Sequence, residues 1–179
     1  MGDSDCFSSL VAGLREWTEQ RGLSPSAVQR EGIGPVLAGN HSLLIAPTGS
    51  GKTLAAILPL VSRCLAEDWE PLAILYLTPL RALNRDVERR IGALASEVGL
   101  RADVRHGDTP QSRRTAQTRR PPHILITTPE TFQIMFTGWR LRGMLSTVRA
   151  VVIDEIHEMA RSERGWQLAV GLERLEQLT

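Results

Sequence analysis

Residues 46–53 read Ala46-Pro47-Thr48-Gly49-Ser50-Gly51-Lys52-Thr53, and their types and spacing suit a phosphate cradle. Glycines at 49 and 51 let backbone N–H groups turn inward and approach an anion closely. In such loops the lysine ammonium reaches the β- and γ-phosphates, and the following hydroxyl, here Thr53, serves as a ligand for Mg²⁺. Where the common pattern opens with glycine, this chain has Ala46. Lys52 is also the only lysine; every other member of the 21 Lys and Arg is arginine. A chain that uses guanidinium groups elsewhere keeps a compact ammonium at this one place.

A second group follows the apolar run Arg149–Ile153, which leads straight into Asp154-Glu155-Ile156-His157. A strand ending in two carboxylates puts acid at the carboxyl edge of a parallel sheet, where ligands bind in such folds. Asp154 there would hold Mg²⁺ directly or through water, and Glu155 would orient and deprotonate an attacking water. The competing reading is two acids favoured by a helix N-terminus. The phosphate cradle upstream shifts the balance to chemistry.

Other signals stay open on the residues alone. Thr78-Pro79 and Thr128-Pro129 each end a strand and open a helix. Their free N–H groups could track a nucleic-acid backbone, or the turns could be plain caps. Residues 101–120 carry six Arg against two Asp, with Arg119-Arg120 paired; this is a solvated face or a set of phosphate contacts. Gln29 either caps a helix or reads an adenine edge.

Periodicity supplies the elements that must position these groups. Phe7, Leu10, Val11, Leu14 and Trp17 predict a helix over 5–20. Ser24-Pro25 reads as an N-cap followed by Pro at the first helical position, with a second helical piece over 34–38 and a turn at Gly39-Asn40. Ser42–Ala46 predicts a strand entering the loop, and residues 52–66 a helix containing Pro59. Further strands are expected at 72–77, 101–105, 123–127 and 149–153. Helices are expected after Thr78-Pro79 (Leu80, Leu83, Val87, Ile91, Leu94 and Val98 inward), after Thr109-Pro110, over 128–136 and over 164–178 (Leu168, Leu172 and Leu175 inward). Strands alternating with helices predict an α/β fold, a parallel sheet covered on both faces. The 179 residues are expected to form one domain.

Composition narrows the classes. A net charge of +1 gives no global field toward nucleic acid or membrane, so any such site is local. No apolar run is long enough to span a bilayer. The start, MGDSDCFSSL, does not read as a signal peptide. Cys6 and Cys64 are far apart, which favours reduced thiols and a cytoplasmic location. His41, His106, His123 and His157 show no metal-ligand spacing.

On these residues the chain resembles the first RecA-like domain of superfamily 2 helicases. Ala46–Thr53 matches motif I, Thr78-Pro79-Leu80-Arg81-Ala82-Leu83 motif Ia, Thr128-Pro129-Glu130 motif Ib, and Asp154-Glu155-Ile156-His157 a DExH motif II. Gln29 resembles the glutamine of the Q-motif. TPLRALNRD, HGDTPQSRR, ITTPETF, VVIDEIHEMARSERG and LAVGLERLEQLT together resemble the large helicase-related (Lhr) family.

The resemblance implies a three-layer, RecA-like P-loop NTPase domain over 1–179, carrying motifs Q, I, Ia, Ib and II and stopping before motif III. It implies ATP and Mg²⁺ as cofactors, with Gln29 on adenine and Ala46, Pro47, Thr48, Gly49, Ser50, Gly51, Lys52 and Thr53 around the phosphates. Thr53 and Asp154 would hold the metal, and Lys52, Asp154 and Glu155 would drive hydrolysis. Pro79, Arg81, Thr128 and Pro129 would touch a single strand of DNA or RNA, and His157 would couple ATP state to motif III. A second RecA-like domain with arginine fingers would lie outside these residues. Such fingers contribute about 10³–10⁵ in rate in related NTPases, so the chain alone would turn over ATP poorly and unwind nothing. Two rival classes remain: another P-loop phosphotransferase, which would need an acceptor lid, and a non-catalytic binding module.

Overall fold

The structure, a computed structural model, describes residues 5–79, 85–160 and 162–179. The chain divides into two compact units, Met1–Asp68 and Trp69–Thr179.

The first unit opens with a 3₁₀ turn, Cys6–Ser9, followed by α1 (Ala12–Gln20), α2 (Ala27–Leu37) and α3 (Lys52–Ala66). Phe7, Leu10, Leu14 and Trp17 are buried, as their spacing predicts. The single helix expected over 5–20 is interrupted, because Leu10 and Val11 are extended and the Val11 N–H donates to Ser62 Oγ at 2.9 Å. A tertiary hydrogen bond replaces the helical one.

Helix α2 starts two residues beyond the expected Ser24-Pro25 cap. Ser26 is the N-cap, and its N–H donates to Gln29 Oε1 at 2.9 Å. The piece expected over 34–38 is the end of this same helix, which holds Pro35 and stops before Gly39 at φ +82°. Helix α3 has the predicted bounds, includes Pro59, and buries Ala55, Ile57, Leu58, Leu60, Val61 and Cys64. The strand expected at Ser42–Ala46 is not formed. Residues 41–47 have no regular structure, and Leu43 and Ile45 are 72% and 85% exposed. Apolar alternation can nominate a strand, but a ladder requires a neighbour, and no described strand pairs with this stretch.

The second unit is built on four parallel strands: β1 (Ile74–Leu77), β2 (Ala102–Arg105), β3 (Ile124–Thr127) and β4 (Ala150–Ile153), in the order β2-β3-β1-β4. β1 and β3 are buried throughout, which explains their unbroken apolar sequences. Ile74–Leu77 stands opposite Ile124–Thr127 on one side and Ala150–Ile153 on the other, so the strands end level. Helices α4 (Arg85–Glu97), α5 (Gln111–Arg119), α6 (Pro129–Met135), α7 (Trp139–Leu145), α8 (Ile156–Met159) and α9 (Glu163–Glu176) complete the unit. Chain order makes β1→β2 run one way across the sheet and β2→β3→β4 the other. Right-handed crossovers then place α4 on one face and α5 to α7 on the opposite face. Short α7 and α8 escape the sequence reading because each is too brief to show a period.

Leu75, Leu77 and Leu125 meet Phe132, Met135, Phe136, Leu145, Met159, Leu168 and Leu175 in one apolar core. Phe132 and Phe136 pack edge to face at 5.1 Å. Helices α6 and α9 come close at Gly171, where an added Cβ would clash with Gln133 Nε2 and lie 2.8 Å from Phe132 Cε1. At the amino ends of the strands, the His123 carbonyl accepts from the N–H groups of Ala73 and Ile74, and its Nδ1 accepts the Arg101 N–H at 3.1 Å.

Two consequences follow from this packing. Gly171→Ala should cost about 1–3 kcal/mol through overpacking; urea denaturation followed by tryptophan fluorescence measures it, and a loss below about 0.5 kcal/mol would mean that Gln133 and Phe132 move aside freely. Burial, then the Arg101 charge, holds His123 below its ordinary pKa of 6.5. The unfolded chain therefore binds the proton first as pH falls. The contribution is complete above about pH 6.5 and declines below it until the folded-state pKa is passed. His123→Gln, which keeps an acceptor, should flatten the loss of urea midpoint between about pH 7 and 5; an unchanged slope would remove His123 as its source.

Candidate functional site

In the first unit the 46–53 loop joins an irregular segment to α3. Gly49 at φ +79° and Gly51 at φ +94° take left-handed conformations that the loop requires and side chains resist. At Gly51 space is also closed, since a Cβ would stand 2.6 Å from Gln29 Nε2. Lys52 opens α3 and folds back over its own loop, donating from Nζ to the carbonyls of Ala46 at 2.7 Å and Pro47 at 2.9 Å. Ser50 Oγ is buried with no hydrogen-bond partner among the described residues. An unpaired hydroxyl, two inward-turning glycines and a lysine held across the loop are the groups that a phosphate chain would satisfy.

Gln29 belongs to the same assembly. It is 5% exposed; its Oε1 accepts from Ser26 N–H and its Nε2 donates to Gly51 O at 3.3 Å. The amide thus links the start of α2 to the loop and keeps one further donor and one further lone pair for a ligand.

The acid pair lies in the second unit, at the carboxyl end of β4. Asp154 N–H donates to Leu77 O at 2.8 Å, continuing the ladder one step beyond the strand. Its Oδ2 accepts the Tyr76 hydroxyl at 2.6 Å, and its Oδ1 accepts the Glu155 N–H at 3.0 Å. Tyr76 is hard to nominate from sequence, since it sits inside an apolar run; its signal there is a lone hydroxyl in a strand whose other side chains carry none. Glu155 has φ +48°, a left-handed backbone that costs a non-glycine residue about 1–3 kcal/mol and persists mainly at functional sites. Glu155 Oε2 lies 3.4 Å from His157 Nε2.

Thr78 and Thr128 stand on the same edge. Thr78 N–H donates to Thr127 O at 3.0 Å, and the buried Thr78 hydroxyl has no partner among the described residues. Thr128 Oγ1 caps α6 by accepting from Thr131 N–H at 3.3 Å, with Pro129 at the first helical position. The capping reading therefore describes its side chain, and Pro79 and Pro129 are buried. Thr109 Oγ1 instead accepts from His106 N–H, and Pro110 is the N-cap of α5. Arg81 lies outside the described residues, with Leu80, Ala82 and Leu83.

Thr53 and Asp154 are hard-oxygen donors of the kind Mg²⁺ takes in small number, leaving other positions to water and phosphate. No cluster of three or more His, Cys, Asp or Glu suited to a metal occurs among the described residues. No described helix is long and apolar enough to cross a membrane.

A glycine-turned lysine loop at a helix start, and a parallel sheet ending in an acid pair, define a RecA-like α/β protein. The family model "DEAD/DEAH box helicase" matches residues 26–179. The chain belongs to that family. It is 42% identical over 204 residues to the Lhr helicase/uracil glycosylase of Escherichia coli, covering 99% of this chain and 13% of that protein. It is 39% identical over 190 residues to the ATP-dependent helicase Lhr-Core of Methanothermobacter thermautotrophicus, covering 97% of this chain and 22% of that one. Among solved structures, Mycobacterium smegmatis helicase Lhr bound to ssDNA and AMP-PNP superposes with a TM-score of 0.84 at 40% identity, covering 98% of this chain and 24% of that chain. The chain thus spans less than a quarter of the length of these relatives.

Tyr76→Phe keeps the ring and removes the donor to Asp154. It should lower stability by about 1.5 kcal/mol, the lower end for a bond to a charged group because water reaches Asp154. Urea denaturation at neutral pH checks this, and a variant as stable as the parent would show that the hydroxyl does not hold the carboxylate.

Proposed function

We propose that this chain is the first motor domain of an ATP-dependent nucleic-acid helicase, one functional RecA-like domain over 1–179 that works with a second such domain of a longer protein. The observation that carries the reading is the Lys52 loop, where, among the described residues, the buried Ser50 hydroxyl is unpaired and the lysine is held by two carbonyls that an anion would displace. The similarity to a helicase solved with ssDNA and AMP-PNP supports ATP as the nucleotide and a single strand as the track.

In this reading residues 46–53 wrap the phosphates, Lys52 neutralises charge developing on them, and Gln29 reaches adenine with its remaining donor and acceptor. Thr53 and Asp154 would hold Mg²⁺, which would supply positive charge against the negative charge of the phosphates. Glu155 orients a water and takes its proton as that water attacks the γ-phosphorus, the bond to the β-phosphate oxygen breaks, and ADP and phosphate are released. Tyr76 keeps Asp154 turned toward its ligand. His157, paired with Glu155, passes the state of the ATP site onward. The Pro79 and Thr128-Pro129 turns, whose side chains are buried, would meet the backbone of DNA or RNA through their main chain, and Arg81 would contact it as the family resemblance implies. The chemistry is that of a reduced, cytoplasmic protein.

ATPase activity of the full-length protein, assayed with and without single-stranded nucleic acid, tests this. Glu155→Gln should lower the stimulated rate by about 10²–10⁴-fold, the range for loss of a general base. Lys52→Ala should weaken ATP binding as well. A stimulated rate that survives both substitutions would sink the assignment, and binding without phosphate release in the unaltered protein would make it a non-catalytic module.

A further inference from the structure

Helices α5 and α7 enclose a groove of about 420 Å³ that none of the roles above uses. Arg105, Arg114, Arg119 and Arg140 line it together with Trp139 and Leu141, and no carboxylate lines it. No ion pair neutralises any of these four arginines among the described residues. Their neighbour Arg113 shows the contrast: it is held by Asp103 at 2.5 Å and Glu88 at 3.0 Å.

Two of the four guanidinium groups are fixed in place. Arg105 is 8% exposed, and its Nη1 donates to Gln117 Oε1 and Arg114 O, both at 3.2 Å. Burial, then the charge of Arg114, act against its protonated form, and Asp103 offsets them only in part. Arg114 Nη2 donates to the carbonyls of His106 and Gly107, while its Nε is buried with no hydrogen-bond partner among the described residues. Crowded positive charge with one buried N–H left over is a seat for an anionic oxygen. Trp139 stands beside it, 79% exposed, with the Arg140 guanidinium 4.9 Å from its ring centroid.

We propose that this groove is a second binding site for single-stranded nucleic acid, taking phosphodiesters on Arg114, Arg119 and Arg140 and one base on the face of Trp139 that Arg140 does not cover. The proposal rests on the motor-domain reading and adds to it a contact on helices that carry none of the strand-end residues. An acidic polypeptide would answer the charge but would leave the aromatic face without a matching flat group. A nucleotide chain answers both. This gives the arginine-rich stretch a division of labour, with Arg113 structural and Arg114 and Arg119 directed at ligand.

The test uses the full-length protein and a fluorescein-labelled oligothymidylate of roughly 20 nucleotides, with anisotropy read from about 50 to 200 mM salt. Trp139, Arg119 and Arg140 are exposed, so their substitution leaves the core intact. Trp139→Ala should weaken binding roughly tenfold or more. The double variant Arg119→Ala/Arg140→Ala should weaken it and lower the slope of log affinity against log salt by about 1.4, the value for two phosphate contacts on a single strand. Binding of a fluorescent ATP analogue should stay unchanged in both. Affinity within about twofold of the parent in both variants, with the slope of the double variant unchanged, would overturn this site alone. Loss of poly-glutamate binding with oligothymidylate binding retained would overturn it in favour of an acidic protein segment. Failure of the unaltered protein to bind oligothymidylate at any of these salt concentrations would overturn the motor-domain reading along with it.

Discussion

The level ending of four parallel strands is the constraint on which the second unit depends. The ladder fixes it: Thr78 N–H reaches Thr127 O, and Asp154 N–H reaches Leu77 O, so two turns and an acid pair share one edge. Register decides more than alignment. Tyr76 stands opposite Val152, two residues before Asp154, and its hydroxyl reaches the carboxylate from the neighbouring strand. A slip of one residue would turn Tyr76 to the other face and bring leucine in its place. The apolar core on the opposite face, anchored by Leu75, Leu77, Leu125 and Phe132, prevents that slip. Packing on one side of the sheet thereby holds the chemistry on the other.

The acid pair is also where the chain accepts strain. Glu155 occupies a left-handed conformation that glycine would adopt freely. The bend turns the chain out of β4 and into α8 within two residues, so that Glu155 and His157 come within 3.4 Å of one another. A relaxed backbone would carry the glutamate along the strand direction instead. The two glycines of the 46–53 loop meet a similar demand with no side chain at all.

Much of this was legible in the sequence where local chemistry decides. Helix α3 has its predicted bounds because a lysine loop, an apolar run and the end at Ala66 all agree, and the four strands appear within two residues of their expected starts. The helix opened by Thr128-Pro129 was readable for the same reason. What was not legible depends on partners distant in sequence. Ser42–Ala46 has a strand's pattern without a strand's neighbour. The break at Leu10-Val11 requires Ser62, and the shift of the α2 cap to Ser26 requires Gln29 at its side. Tyr76 and Gly171 matter through Asp154 and Phe132, which only folding brings to them. At the candidate site the residue types could be named in advance, while their mutual bonds could not.

The solitary lysine has a use for chemists. Within these residues an amine-directed acylating reagent meets one side-chain target, Nζ of Lys52, which rests against the carbonyls of Ala46 and Pro47. Mass spectrometry of the peptide containing residue 52 would then be a footprint of the loop itself, free of signal from other side chains in this stretch. A ligand drawn into the loop would shield that amine and slow its labelling, so the chain carries its own occupancy gauge without any engineered probe.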